Sequence, residues 1–511
     1  MTAKTLMIQG TSSSAGKSLL TAAICRCFAR RGVRVAPFKA QNMSNNAAVC
    51  ADGSEIGRSQ ALQAIAAGAP PTADMNPILL KPEGDSHSQV IVNGRPLGSL
   101  AAAAYFRRRS EYWGVVTDAL DRMRDEYELV VIEGAGSPAE LNLADVEMVN
   151  MSVARYCQSP VLLVGDIERG GVFAQLLGTL WLLTPEDRAL VRGLIVNKFR
   201  GDLRLFDRGV EMLQTRGEVP VLGVLPWIDS LRLPEEDAAT LSEKSFNPAP
   251  TCDAGGINVV VIQFPHIANF DDFDPLENEP GVSLRYVRSS GSFGRPDLII
   301  LPGTKNTIAD LDWLRSTGLQ QCIMASHDQG SRVVGICGGY QMLGRRINNP
   351  HHLEHVRSRV EGLGLLEIET TFQHEKQTFQ VETQITDDAI APGTQGQRVR
   401  GYEIHVGQTV SQSTWLQRAN LSTGSVPPAN ASDGARSADG RVWGCYLHGL
   451  FHNDAFRHAW LRTFQTFSQD SSSVNADDVL TTSLDRLADA FESHIDIQQL
   501  EQIIWHQETS K

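Results

Sequence analysis

The sequence predicts a two-domain α/β protein, each domain built on a parallel sheet covered by helices. Three observations carry that reading. Short apolar runs alternate with helix-like stretches through the first half: Leu6–Ile8, Val33–Ala36, Leu129–Ile132, Val161–Val164 and Leu194–Val196. Runs of this kind, often followed by Gly, Asp or Asn, suit strands buried on both faces. A second series follows at Ile257–Ile262, Leu298–Leu301 and Val333–Ile336. Between the two series the chain turns polar and carries Pro234, Pro248 and Pro250, which reads as a linker over 231–256. The domains are then 1–230 and 257–511.

Length and composition agree. The chain has 511 residues, 42% hydrophobic and 21% charged, a globular balance. Forty-six basic residues against fifty-nine acidic give a net charge of -13, which disfavours a general nucleic-acid binder. No apolar run approaches the roughly 18 residues of a membrane span. Met1–Lys4 leads directly into the first strand, so no signal peptide is expected, and eight cysteines without a paired framework argue against a disulfide scaffold. The expectation is a reduced, cytoplasmic enzyme. Late in the chain, 419–440 is rich in Ser, Ala, Gly and Pro and reads as a mobile excursion. Leu484, Leu487, Ala488 and Phe491 have the spacing of an amphipathic helix.

The first strand opens into Gly10-Thr11-Ser12-Ser13-Ser14-Ala15-Gly16-Lys17-Ser18, followed by an apolar helix start. Backbone amides and a helix N-terminus in this context cradle phosphates. Gly10 and Gly16 shape the loop, Lys17 neutralises charge, and Ser18 reaches Mg²⁺. The loop is one residue longer than the standard spacing. Glu133, ending the strand 129–132, stands on the ligand side of a doubly wound sheet and can hold Mg²⁺ directly or through water. Asp166 ends the next strand and has a similar claim. Asn197 ends the one after, with an amide suited to a purine edge. Another polar cluster follows the second strand: Lys39, Gln41, Asn42, Ser44, Asn45 and Asn46. One cation among amides and a hydroxyl suits a ligand bearing carboxylates and carboxamides.

The second half contains Gly335-Ile336-Cys337-Gly338-Gly339-Tyr340. A strand runs into Cys337 and glycines open a helix, the pattern of a nucleophile elbow. His448, after a strand-like run, is the expected base. Gly338 and the glycine turn at Gly303 offer backbone amides for an oxyanion. Cys445 and the other cysteines read as structural. His351, His352 and His355 read as a surface loop.

With these residues in view, the first half resembles the dethiobiotin-synthetase-like branch of P-loop enzymes, which form acyl phosphates on carboxylic acids and share the long loop and the Glu133-Gly134-Ala135-Gly136 run. Partitioning ATPases share the fold but carry a lysine where this chain has Ser12, which weighs against a switch. The second half resembles class I glutamine amidotransferases, which release ammonia through a cysteine thioester. Most of them have a glutamate two residues after the histidine; here that residue is Leu450, leaving the group that orients His448 unassigned. Further runs, including Asn76–Pro82, Asp166–Gly171, Asn197–Asp202, Leu301–Thr307 and Gly401–His405, resemble the cobyric acid synthase family of cobalamin biosynthesis over nearly all of residues 4–500. The resemblance implies ATP- and glutamine-dependent amidation of the b, d, e and g carboxylates of adenosylcobyrinic acid a,c-diamide, with the corrinoid as substrate. It places Lys39 to Asn46 near the corrinoid and the phosphoryl-transfer site. Asp52 and Glu55 are weaker Mg²⁺ candidates. The related a,c-diamide synthases and an ATP-gated switch with a degenerate second domain are the competing readings.

Overall fold

The computed structural model describes residues 2–83, 87–229, 231–234, 256–421, 432–467 and 474–506. Two compact units emerge. One comprises 1–43, 56–233 and 480–511; the other comprises 44–55 and 234–479. Each unit therefore takes in a stretch from the other half of the sequence. Most of the expected linker, 235–255, lies outside the described residues.

The first unit is built on a six-stranded sheet in the order Val221–Pro226, Val191–Phe199, Val161–Asp166, Lys4–Gly10, Leu129–Glu133, Val35–Phe38. Every pairing is parallel. Successive side chains of one strand enter cores on opposite faces. Val130 and Ile132 join one apolar cluster, whereas Leu129 and Val131 join the other. This two-sided burial explains why these strands read as continuous apolar runs. All their carboxyl ends fall on one edge, bringing Gly10, Lys39, Glu133, Asp166 and Asn197 to the same side of the sheet. Gln41–Met43 lies in a separate four-stranded sheet with Ile78–Pro82, His87–Val92 and Arg95–Ala101.

The amphipathic helix is present as Ala476–His494, with Leu484, Leu487, Ala488 and Phe491 buried. Those residues, with Leu500 and Ile504 of the helix Ile497–Trp505, pack into the core that holds Leu6, Ile8 and Leu20. Asp485 and Asp489 meet Arg26 and Arg30 at 2.8 and 2.6 Å. At this exposure such pairs add at most about 1 kcal/mol each, so the apolar face does most of the docking.

The second unit has a six-stranded sheet in the order Val282–Val287, Ile257–Ile262, Leu298–Leu301, Arg332–Ile336, Val442–Cys445, Ala435–Arg436. All its pairings are parallel except the last. A long antiparallel ribbon, Glu369–Ile385 with Arg398–Val410, belongs to a second sheet. The stretch 419–440 is more regular than its composition suggests. Residues 422–431 lie outside the described set, but Leu416–Leu421, Ser432–Asp433 and Ala435–Arg436 are strands. Buried Asp433 accepts the Tyr446 amide at 3.0 Å, pinning this return to the strand that leads to His448.

No helix among the described residues is long and apolar enough to cross a membrane.

Candidate active site

In the first unit the phosphate loop joins Lys4–Gly10 to the helix Lys17–Arg30. Gly16 caps that helix at φ 98, and a Cβ there would lie 2.2 Å from Asn197 Nδ2. Only glycine meets both constraints. Lys17 Nζ donates to the carbonyls of Ser12 at 2.8 Å and Gly136 at 3.0 Å. The Glu-Gly-Ala-Gly turn thus helps hold Lys17 in place. Asn197 Nδ2 donates to Ala15 O at 2.9 Å, and Lys198 Nζ donates to Ser14 O at 2.8 Å and to Asp166 at 2.9 Å. Asn197 and Lys198 therefore clasp the loop, and Asp166 anchors the clasp.

Glu133 is fully buried and sits at the centre of a polar knot. Its carboxylate accepts from Ser18 Oγ at 2.8 Å, Lys39 Nζ at 2.8 Å and Gln63 Nε2 at 2.6 Å. Burial alone would push the carboxyl up; Lys39, helped by the Gln63 and Ser18 hydrogen bonds, holds it below the ordinary range. Gln63 has no motif signal. Its buried position on the helix Arg58–Ala67 brings it here.

The polar cluster of the sequence divides between the units. Lys39, Gln41 and Asn42 belong to the first and Ser44, Asn45 and Asn46 to the second. Gln41 Oε1 accepts from the Tyr105 hydroxyl, and Asn42 Nδ2 donates to Gln60 at 3.0 Å. Ser44 Oγ accepts the Asn46 amide at 3.0 Å, and Asn46 Oδ1 accepts the Asn269 amide at 2.7 Å. Glu55 also falls in the second unit, where Lys376 pairs with it at 2.6 Å, both side chains nearly solvent-free. Asp52 accepts the Ser54 amide and hydroxyl at 2.9 and 2.6 Å.

In the second unit Cys337 follows Arg332–Ile336 and caps the helix Gly338–Leu343 with φ 50 and ψ -110. A left-handed φ on a non-glycine residue stores strain, as a nucleophile elbow requires. Neighbouring glycines make room for it. A Cβ on Gly339 would lie 1.9 Å from Leu301 O, and one on Gly335 2.7 Å from Tyr340 N. A Cβ on Gly303 would lie 3.2 Å from His448 Cε1 and 3.8 Å from Cys337 Cβ, so this turn, the elbow and the histidine are immediate neighbours. A Cβ on Gly338 would be 3.2 Å from Thr304 N. Cys337 Sγ also faces Ile404 O at 3.5 Å.

The orienting group for His448 is Asp272. Its Oδ2 lies 2.7 Å from His448 Nδ1, and its Oδ1 accepts the Gly449 amide at 2.7 Å. All three side chains, Cys337, His448 and Asp272, are buried. Burial opposes the imidazolium, but Asp272, reinforced by the hydrogen bond with Cys337, raises the His448 pKa to about 10. Burial pushes the thiols of Cys25, Cys27, Cys157 and Cys445 above their ordinary range, which makes them poor nucleophiles. The Gly401–His405 run also finds its place. Tyr402 stacks on the His448 ring at 5.2 Å and exchanges backbone hydrogen bonds with it at 3.2 and 2.9 Å. A Cβ on Gly401 would lie 2.1 Å from His448 O. Glu403, held down to about 2 by His405 and Arg418 against its burial, anchors the far side of the run.

Asp272→Asn keeps the shape but loses the charge. The expected result is an alkaline limb that lies near pH 10 with Asp272 and moves to lower pH without its charge, with kcat/KM reduced about 100-fold or more. The pH profile of the hydrolytic rate reads this. An unmoved limb removes Asp272 as the charge partner.

A phosphate-loop nucleotide unit and a cysteine–histidine–aspartate unit on one chain define an ATP-binding glutamine amidotransferase. Residues 6–241 match the CobQ/CobB/MinD/ParA nucleotide binding domain, and residues 258–456 match the CobB/CobQ-like glutamine amidotransferase domain. The chain is 51% identical to a cobyric acid synthase of Chloroflexus aurantiacus, covering 96% of each chain. It is 52% identical to that of Chloroflexus aggregans, again over 96% of both, and 46% identical to that of Sorangium cellulosum over 99% of both. The chain belongs to the cobyric acid synthase family and is an amidotransferase ligase.

Proposed function

We propose that this chain amidates the b, d, e and g carboxylates of adenosylcobyrinic acid a,c-diamide, with glutamine as nitrogen donor and one ATP consumed per amide. The observation that carries the chemistry is the pairing of two complete stations on one chain: the Lys17–Ser18–Glu133 loop and the Cys337–His448–Asp272 triad. The family relation supports the corrinoid as substrate.

At the triad, Cys337 gives its proton to His448, and the resulting thiolate attacks the glutamine amide carbon. Amides from Gly338 and the Gly303 turn receive the charge on the oxygen. His448, held by Asp272, protonates the departing ammonia, and water then releases glutamate from the thioester. At the phosphate loop, a substrate carboxylate attacks the γ-phosphorus and ADP leaves. Ammonia displaces phosphate from the mixed anhydride, giving the amide, phosphate and a proton. Lys17 neutralises charge on the transferring group.

Ser18 and Glu133 are oxygen donors 2.8 Å apart, which fits Mg²⁺ held by few protein ligands and by nucleotide phosphates. When bound, the ion neutralises phosphate charge. Asn197 supports the nucleotide side through the loop backbone. Lys39, Gln41, Asn42, Ser44, Asn45 and Asn46 are read as the corrinoid-facing run, within which Gln41 and Asn45 retain partial exposure.

Exhausting the reaction on two corrinoids in turn and weighing the products tests this activity. Four conversions of the a,c-diamide, each lowering the mass by about 1 Da, are expected. Amidation of cobyrinate itself with none of the a,c-diamide would assign the chain to the a,c-diamide step instead.

A further inference from the structure

The 44–55 segment leaves the nucleotide unit after Met43, belongs to the glutaminase unit, and rejoins the nucleotide unit at Ile56. It is firmly held where it lies. Gln380 Nε2 donates to Val49 O at 2.8 Å, and Lys376 forms its buried pair with Glu55. At its near end it grips one residue from both sides. Asn46 Oδ1 accepts the Asn269 backbone amide at 2.7 Å, and the Ala47 amide donates to Asn269 Oδ1 at 3.0 Å.

The second bond decides which way the Asn269 amide points. A backbone N–H demands the oxygen, so the NH₂ group is turned the other way, and there it lies 3.5 Å from His448 Nε2. His448 Nδ1 is committed to Asp272, so Nε2 is the nitrogen that must take the Cys337 proton. An amide N–H facing Nε2 competes with the thiol for the lone pair of the neutral ring. It also faces the N–H of the charged ring donor-to-donor. In both protonation states it opposes formation of the thiolate–imidazolium pair. Asp272 and Cys337 are the ionisable partners at the ring, and Tyr402 stacks on its face. Asn269 holds φ 51 and precedes the short helix Phe270–Phe273 that carries Asp272.

We propose that Asn269, clamped by Asn46 and Ala47, is a positioning residue that restrains His448, and that displacement of the 44–55 segment releases it. Once unclamped, the Asn269 amide is free to turn its oxygen toward Nε2–H and favour the reactive pair. The segment continues directly from the polar run assigned to the corrinoid, so a ligand of the carboxylate- and carboxamide-bearing class is the natural trigger; this trigger rests on the function proposed above.

The test uses the full chain with glutamine alone, without ATP or corrinoid. Asn46→Ala removes the acceptor for the Asn269 amide. Asn269→Gly removes the restraining side chain while accepting the left-handed backbone. Gln380→Ala, which frees the Val49 carbonyl, is the milder variant. Two readouts are taken: glutamate release, and the pH dependence of iodoacetamide labelling at Cys337 followed by peptide mass. Asn46→Ala and Asn269→Gly are expected to raise kcat for glutamate release roughly fivefold, the equivalent of one ordinary hydrogen bond, with KM little changed. The labelling midpoint should move to lower pH. Gln380→Ala should move both readouts the same way by less. Unchanged or reduced kcat with an unmoved labelling curve in folded Asn269→Gly or Gln380→Ala overturns the restraint. No glutamate release by the unsubstituted chain overturns the reading of the triad along with it, so the two failures are told apart.

Discussion

Cys337→Ala leaves a chain that amidates its corrinoid with ammonium salts and ATP but not with glutamine. The expected loss of glutamine-supported turnover is about 10,000-fold or more, because no other side chain at the elbow can form the thioester. Burial holds Cys445 well above the ordinary thiol range, so it is no substitute. Ammonia-supported turnover should stay near that of the unsubstituted chain, since the phosphate loop belongs to the other unit. The measurement is amide formation with each nitrogen source in parallel. Failure of ammonia to rescue would contradict the division of labour between the two units.

Lys17→Ala has the opposite pattern. Its ammonium group is bound by the Ser12 and Gly136 carbonyls at the mouth of the loop, where the phosphates of ATP would sit. Its loss removes charge stabilisation from the phosphoryl group in transit, so amidation should fall about 100- to 1,000-fold with glutamine and ammonia alike. Glutamate release measured without ATP should persist. Near-normal amidation would remove Lys17 from the mechanism.

The legibility of these sites followed from how local their signals are. The phosphate loop and the cysteine elbow are contiguous motifs whose glycines answer to clashes within a few ångströms, as at Gly16 and Gly339, so each could be read from its own residues. Asp272 carries no such signal. It stands 176 residues from His448, among three aspartates in five residues between Phe270 and Asp274, and only the fold selects which of them faces the ring. The buried parallel strands were visible as apolar runs. The ribbon Glu369–Ile385 was not, because one of its faces is largely exposed and its sequence mixes Glu, Gln and Thr with the apolar positions. The helix Ala476–His494 was legible from its spacing, but its place in the first unit's core was not, since an amphipathic pattern says that a face is covered and not by what. Asn197 has an amide suited to a purine edge. In the structure its Nδ2 donates to Ala15 O, a contact made by the loop's curvature and invisible in a dipeptide.

In the proposed reaction the nucleotide unit activates a carboxylate as an acyl phosphate, which ammonia from the triad then captures. This route is tested most directly by supplying a corrinoid labelled with ¹⁸O in its free carboxylates, together with [amide-¹⁵N]glutamine and Mg·ATP. One ¹⁵N is expected in the corrinoid for each amide formed, with one ¹⁸O in the inorganic phosphate released with it. Label appearing in AMP, or phosphate free of ¹⁸O while amides accumulate, would contradict it.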